Sequence, residues 1–235
     1  MMMGEWLEKN GFKRGAEIGV QRGHFAHALL AQWRSCERYL AVDPWREQEA
    51  YPDPANAPID LQEEIYREAV RRLAFWEDRV VFLRKLSSAA AALVPDGSLD
   101  FVYIDARHDY CSVAEDMELW WPKLAPGGLL SGHDYFTTAQ VIRLREATGT
   151  DFGLCPELGE DGLPRRDDRA VKGAVDDFAA RAGLSVYVTD RAQEAPYPPS
   201  WMVFKPRPEG DSRWVLAAAL RAADPDANTN SSTAL

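Results

Sequence analysis

The chain has 235 residues, a net charge of −10 and 46% hydrophobic residues. This length and apolar content predict a single domain around one core, and the acidic balance argues against nucleic acid as the main partner. No apolar run approaches the roughly 20 residues of a membrane helix, and the acidic amino-terminal segment does not resemble a signal peptide. Cys36, Cys111 and Cys155 are too few and too scattered for a disulfide framework or a zinc site, so a reduced, cytoplasmic protein is expected.

A strand, a glycine turn and a helix are predicted at the start of the domain. Residues 16–20 have the apolar character of a strand, and the apolar side chains after them recur at helical spacing. Gly19 and Gly23 stand at the turn, where glycines allow a ligand to approach the backbone and the helix amino terminus. The stretch lacks G-x-G-x-x-G, which disfavours a nicotinamide oxidoreductase.

An acid follows the second predicted strand, residues 38–42. Asp43 stands where a carboxylate takes the ribose hydroxyls of a nucleotide in open α/β sheets. For Asp43, as for Glu17 in the first strand, the alternative is ordinary polarity near a strand end. Residues 47–58 are expected to loop over the site, before a helix at 61–75 and a strand at 80–83.

Polar residues end two further strands in the middle of the chain. The strand at residues 101–104 ends on Asp105, and the strand at 129–131 is followed by His133 and Asp134. Neighbouring parallel strands that deliver acids at their carboxyl ends mark the ligand-binding edge of an open sheet. We therefore expect the site at this edge.

Local signals place helices and a turn around these strands. Ser112-x-x-Glu115 is a capping-box pattern for a helix start, and Gly127-Gly128 marks a turn into the following strand. Ser87 is expected to cap an Ala-rich helix after the third strand. The alternation of strands and helices predicts an α/β fold with a doubly wound, mostly parallel sheet.

The second half of the chain contains a long polar stretch and a predicted hairpin. Residues 136–172 are expected to form a lid or substrate insertion, and residues 171–182 a helix. The strands at 184–188 and 200–204 are joined by a link short enough for antiparallel pairing.

The domain is predicted to end at residue 207. Residues 1–207 contain all the elements described above. Residues 208–235 would add one amphipathic helix, at 214–223, and a tail at 224–235 that is too poor in bulky residues to order itself.

Together these motifs resemble a known family. The pattern DFVYIDARHDY followed by DMELWWPKLAPGGLLSGHDY is similar to that of class I S-adenosylmethionine-dependent methyltransferases, in particular the small-molecule group that includes metal-assisted O-methyltransferases. The resemblance covers about residues 15–205. It implies a Rossmann-like, seven-stranded sheet with an antiparallel last strand, and S-adenosylmethionine as cofactor.

The resemblance also implies site residues. Six positions would bind the cofactor: Glu17, Gly19, Gly23, Asp43, Ser87 and Asp105. Relatives that use Mg²⁺ or Mn²⁺ hold it between acids that follow the fourth and fifth strands. These positions fall on Asp105 and Asp134, with His133 as a further ligand.

Methyl transfer to oxygen needs a base as well as positioning. Transfer from a sulfonium is an in-line displacement, so positioning supplies much of the catalysis. An acceptor such as a phenol, with a pKa of about 10, must also lose its proton, which requires a metal or a histidine. His108 and His133, in loops at the ligand-binding edge, are the candidates, and a surface hydrogen-bonding role is the alternative. His24 and His27 are expected to be structural or solvated.

The leading functional prediction is a methyltransferase acting on a hydroxyl oxygen of a small molecule. The alternatives are a non-catalytic cofactor-binding or regulatory protein and an enzyme that methylates nitrogen or sulfur. The expected partner is a small-molecule acceptor, with neither nucleic acid nor membrane, and a homodimer is compatible with the sequence.

Overall fold

The computed structural model describes residues 2–49, 51, 53, 55–149, 155, 170–189, 199–207 and 232–234. Its strands are β1 (Arg14–Ile18), β2 (Arg38–Val42), β3 (Val80–Leu83), β4 (Leu99–Ile104), β5 (Leu124–Gly132), β6 (Val186–Val188), β7 (Trp201–Phe204) and β8 (Ser232–Ala234). They form one sheet in the order β3-β2-β1-β4-β5-β7-β6-β8. The first five strands pair in parallel, and β7 is antiparallel to both β5 and β6. The predicted α/β sheet with an antiparallel last strand is confirmed, and β8 adds an eighth strand at the edge.

Helices cover both faces of the sheet. They are α1 (Met3–Lys9), α2 (His24–Gln32), α3 (Ile59–Leu73), α4 (Ser87–Ala91), α5 (Tyr110–Trp120), α6 (Thr138–Thr148) and α7 (Val171–Ala182). Side chains of α1, α2 and α3 pack into one buried cluster, and those of α4, α5 and α7 pack into another. This confirms the doubly wound arrangement. Among the described residues, no helix has both the length and the apolar content to cross a membrane.

The glycine pair does not form the predicted turn. Gly127 and Gly128 lie inside β5, where the pairing with β4 shifts between Leu99 and Phe101. Gly127 has φ +82°, so a residue with left-handed backbone marks this irregularity in the strand. The prediction located the irregularity and assigned it to the wrong element.

Two predicted helix caps are also wrong by one to three residues. The N-cap of α5 is Asp109, whose carboxylate accepts hydrogen bonds from the backbone N–H and the hydroxyl of Ser112. The N-cap of α4 is Leu86, so Ser87 is the first helical residue. In both cases the predicted serine lies within the first turn, where sequence patterns place boundaries least reliably.

The insertion contains a helix that the sequence interpretation missed. Helix α6 begins with a capping box between Thr137 and Gln140 and ends at Gly149, which has φ +72°. Residues 150–154 and 156–169 lie outside the described part of the chain. The lid at 136–172 therefore stays a prediction.

Of the carboxyl-terminal segment 208–235, the structure describes only residues 232–234. Ser232–Ala234 forms β8, parallel to β6, so the predicted disorder of the tail is wrong for these three residues. The helix predicted at 214–223 lies outside the described residues.

A disulfide joins Cys111 and Cys155, whose Cα atoms are 5.6 Å apart. It links the first turn of α5 to the insertion, across a sequence separation of 44 residues. The expectation that the cysteines are too scattered to pair is therefore wrong for these two. Because disulfides are rare in reducing compartments, the cysteines no longer support a cytoplasmic location.

Candidate functional site

A cavity of about 400 Å³ lies at the carboxyl ends of the parallel strands. Its wall includes Gly19 after β1, Asp43 after β2, Ser87 after β3 and Asp105 after β4. The volume is in the range of small-molecule clefts. Four of the six residues predicted for the cofactor are thus brought together at the predicted edge.

Asp43 holds the first turn in place. Its carboxylate accepts hydrogen bonds from the backbone N–H of Gln21, at 2.9 Å, and of Trp45, at 2.7 Å. Burial raises the pKa of Asp43, and these backbone hydrogen bonds oppose the rise. Because each carboxylate oxygen has a further lone pair, Asp43 can also accept hydrogen bonds from ligand hydroxyls.

Glu17 and Gly23 are not part of the cavity wall. Glu17 is buried and accepts a hydrogen bond from the hydroxyl of Tyr39 at 2.8 Å, and its burial raises its pKa well above the usual value. Gly23 is the N-cap of α2 with φ +73°, and a Cβ there would lie 3.4 Å from Leu73 of α3. The hydrogen bond to Tyr39 accounts for Glu17, and the left-handed backbone accounts for Gly23. Contact of either residue with the cofactor stays a prediction.

Beside the cavity, one imidazole lies between two carboxylates. His108 Nε2 is 3.4 Å from Asp105 Oδ1 and 3.2 Å from Asp134 Oδ2. Burial alone would lower the pKa of His108, but the surrounding carboxylates outweigh it and raise the pKa well above the usual value. One atom from each of the three side chains lies within 4.8 Å of the others, a spacing that could hold a metal ion.

His133 lies at the edge of this group. Its Nδ1 is 3.4 Å from Asp134 Oδ1 and 4.0 Å from Asp105 Oδ1. Among the described residues, the group with metal-binding spacing contains His108 and not His133. The spacing therefore favours His108 over His133 as the third ligand, and a metal-binding role for His133 stays a prediction.

The backbone of Asp134 adopts a conformation that few side chains tolerate. Its φ is +54°, in the left-handed region where Asp and Asn are among the few residues commonly found. Strained backbone of this kind clusters at functional sites. The conformation follows immediately after β5 and directs the carboxylate to His108.

Asp53 is a site residue that sequence reasoning missed. It is 8% exposed, and its Oδ2 is 3.3 Å from His108 Nδ1. Burial would raise the pKa of Asp53, but hydrogen bonds from His108, the Ala55 backbone and Tyr51, together with the charge of His108, outweigh it and lower the pKa. The loop 47–58 was predicted to cross the site, yet nothing in its sequence distinguishes this acid from its neighbours.

Asp116 is a second missed residue, and here the sequence did hold a signal. It shares the apolar face of α5 with Val113, Met117 and Trp120, and it is 6% exposed. Asp116 lines the cavity together with Ser87, which hydrogen-bonds to it. Burial raises the pKa of Asp116 to about 7.

The raised pKa predicts a pH-dependent stability difference for Asp116→Asn. The folded protein retains a proton that the unfolded chain loses near pH 4, so this residue's contribution to stability falls as the pH rises from about 4 to about 7. The amide does not titrate. Urea unfolding measures the free energy of unfolding of both proteins. The value for the variant minus the value for wild type should increase by about 2 kcal/mol between pH 5 and pH 8. A difference that does not change with pH would contradict the raised pKa of Asp116. The control is Glu115→Gln, a substitution of the exposed neighbouring acid.

Comparisons with known proteins agree with this architecture. A family profile described as a methyltransferase domain matches residues 16–135, slightly more than half of the chain. An uncharacterized protein from Sinorhizobium fredii is 31% identical over 126 residues, which are 52% of this chain and 13% of that protein. The chain thus spans only a small part of that relative's length.

Solved structures show the same fold. An O-methyltransferase from Bacillus cereus in complex with SAH has a TM-score of 0.54 and 18% identity, over 86% of this chain and 80% of that one. The O-methyltransferase TomG from Streptomyces achromogenes, involved in tomaymycin synthesis and bound to SAM, has a TM-score of 0.55 and 13% identity, over 86% and 77% of the two chains. At these identities the likeness concerns the fold.

Proposed function

Because this chain belongs to a family of methyltransferase domains and has the class I S-adenosylmethionine-dependent methyltransferase fold, we propose that it moves a methyl group from S-adenosylmethionine to a hydroxyl oxygen of a small molecule. One observation carries the proposal. The cavity that contains Asp43 reaches Asp105, which belongs to the cluster with His108 and Asp134. A cofactor site and a group of acid and base side chains therefore share one edge of the sheet.

The cluster fits a divalent metal. Asp105 and Asp134 supply carboxylate oxygens and His108 supplies Nε2, and Asp53 on the other ring nitrogen would fix the imidazole orientation, as carboxylates do for metal-bound histidines. Two acids alone would suit Mg²⁺, whereas an imidazole ligand favours Mn²⁺, Fe²⁺ or Zn²⁺. When bound, such an ion lowers the pKa of an acceptor hydroxyl.

The protein's own residues have defined tasks in this proposal. The Asp43 carboxylate fixes the cofactor ribose, and the turn that it holds orients the methyl donor for in-line attack. Asp53 accepts a hydrogen bond from the Nδ1–H of His108, and this orientation directs Nε2 toward the two acids. The same carboxylates raise the pKa of His108, so in a reaction without a metal Nε2 would have to lose its own proton before it removes the acceptor proton.

The test of the function is conversion of S-adenosylmethionine to S-adenosylhomocysteine with a library of phenols, sugars, amines and thiols. Turnover with hydroxyl acceptors supports the proposal. Turnover only with amines or thiols would reassign the acceptor atom. Cofactor binding without turnover on any acceptor would favour the regulatory alternative.

The ribose assignment predicts that Asp43→Asn weakens S-adenosylhomocysteine binding by about tenfold, because the charged acceptor of the hydroxyls is lost. Calorimetry measures the affinity, and the thermal midpoint shows whether the fold survives. Glu47→Gln is the matched control, because Glu47 is an exposed acid of the following loop that does not line the cavity. An affinity for Asp43→Asn within twofold of wild type would refute the assignment.

A further inference from the structure

A buried carboxylate on α5 has no role in the methyl-transfer chemistry described above. Asp116 lies on the apolar face of the helix, beside Met117 and Trp120, both 0% exposed. Placing a carboxylate there is costly unless hydrogen bonds compensate for the lost water. Asp116 nevertheless lines the cavity, so one side of the carboxylate is accessible to a ligand.

A chain of hydrogen bonds fixes the polarity of this position. The indole N–H of Trp120 donates to Ser87 Oγ at 2.8 Å. Because indole nitrogen is only a donor, the single Ser87 proton remains available for Asp116, to which Ser87 hydrogen-bonds. In its ionised form Asp116 therefore acts as an acceptor within the protein, and its remaining lone pairs can accept from another donor.

The place of Asp116 along the sheet indicates which part of a cofactor would meet it. The two acids and His108, beside which the acceptor would receive the methyl group, follow β4 and β5, whereas Ser87 follows β3, at the other side of β2 and Asp43. If Asp43 holds the ribose, the methionine end must extend toward β4 and β5. The base must then extend toward Ser87 and Asp116.

We propose that Asp116 recognises the 6-amino group of the cofactor's adenine, with Ser87 holding the carboxylate in position. The inference rests on the proposed function, because it assumes that the cavity binds S-adenosylmethionine. The amino group supplies the donor that the buried acceptor needs, and a 6-oxo group would instead meet the carboxylate with a lone pair. The competing explanation is purely structural, with Asp116 serving only to join α4 and α5 through Ser87.

A comparison of two ligands separates these explanations. The probes are S-adenosylhomocysteine and its analogue with unsubstituted purine, which lacks only the 6-amino group, and calorimetry measures both affinities. Wild type should bind the purine analogue about 10- to 100-fold more weakly, as expected for a hydrogen bond to a charged group. In Asp116→Asn this preference should fall below about threefold, while Glu115→Gln, an exposed neighbour on the same cavity wall, should retain it.

The outcomes distinguish this inference from the function beneath it. Equal binding of the two ligands by wild type, or an undiminished preference in Asp116→Asn, would overturn the base-recognition role and leave cofactor binding intact. Failure of wild type to bind either ligand would overturn the cofactor proposal, and this inference with it.

A measurement on wild type alone keeps the inference testable if Asp116→Asn does not fold. The amino group favours the ionised carboxylate, so the preference for adenine over purine should increase as the pH rises from 6 to 8. Taking the ratio of the two affinities cancels the effects of the other charged groups around the cavity, because both ligands meet them alike. These groups are Asp43, Arg46, Lys85, Asp105, Arg107, Asp109 and Glu115. A ratio that stays constant with pH would count against Asp116.

Discussion

Replacing His108 with alanine should lower turnover by about 10²- to 10⁴-fold, the usual contribution of a positioned acid or base. The imidazole is the one group in contact with Asp53, Asp105 and Asp134 among the described residues. Its removal therefore dismantles the cluster whether it serves as metal ligand or as base. The affinity for S-adenosylhomocysteine should stay within about threefold, because Asp43 and Ser87 remain.

His24→Ala is the matched control for that experiment. His24 is an exposed histidine in the first turn of α2, and its loss should leave turnover unchanged. A His108→Ala enzyme with near-normal turnover would show that the cluster is not the reacting centre.

Exhaustive chelation decides which role the cluster has. If a metal is held there, turnover should disappear in chelator and return with one added ion, and Asp53→Asn should weaken Mn²⁺ binding by about 10- to 100-fold. Asp134→Asn is the informative ligand variant, because asparagine tolerates the φ of +54° at this position. If the enzyme is fully active in chelator and Asp134→Asn hardly changes turnover, a metal is ruled out and His108 remains as the base.

The sequence predicted best those elements in which the pattern of apolar residues alone distinguishes a strand from a helix and marks its bounds. The observed bounds of β2, β3 and α7 are those predicted from short apolar runs and helical periodicity. Helix α6 was missed because it buries little beyond Val141, so its residues show no clear apolar stripe.

The candidate site could be predicted only where it follows the ends of strands. Asp43, Asp105 and Asp134 share one edge because parallel strands end there. Asp53 comes from a loop 55 residues before His108, and no local pattern encodes such a contact. Asp116 was detectable, since an acid at an apolar-face position is an inconsistency that often marks a functional site.

Gly19 shows how a correct motif can have a different physical cause. The sequence interpretation attributes this glycine to close approach by a cofactor, and Gly19 does line the cavity. A Cβ at this position would, however, lie 1.9 Å from the carbonyl oxygen of Asp105, and the backbone has φ +94°. The glycine is therefore required by the packing of two backbone segments even when no ligand is bound.

Gly19→Ala should accordingly destabilise the cofactor-free protein by at least about 4 kcal/mol, since the clash with backbone adds to the cost of a left-handed residue. Gly97→Ala is the matched control: it has φ +67° and nothing within 4 Å of the added Cβ. It should cost only the conformational part, about 1 to 2 kcal/mol. Urea unfolding without cofactor measures both. If the two variants lose the same stability, the contact with Asp105 is not what requires glycine, and the approach of the cofactor becomes the better explanation.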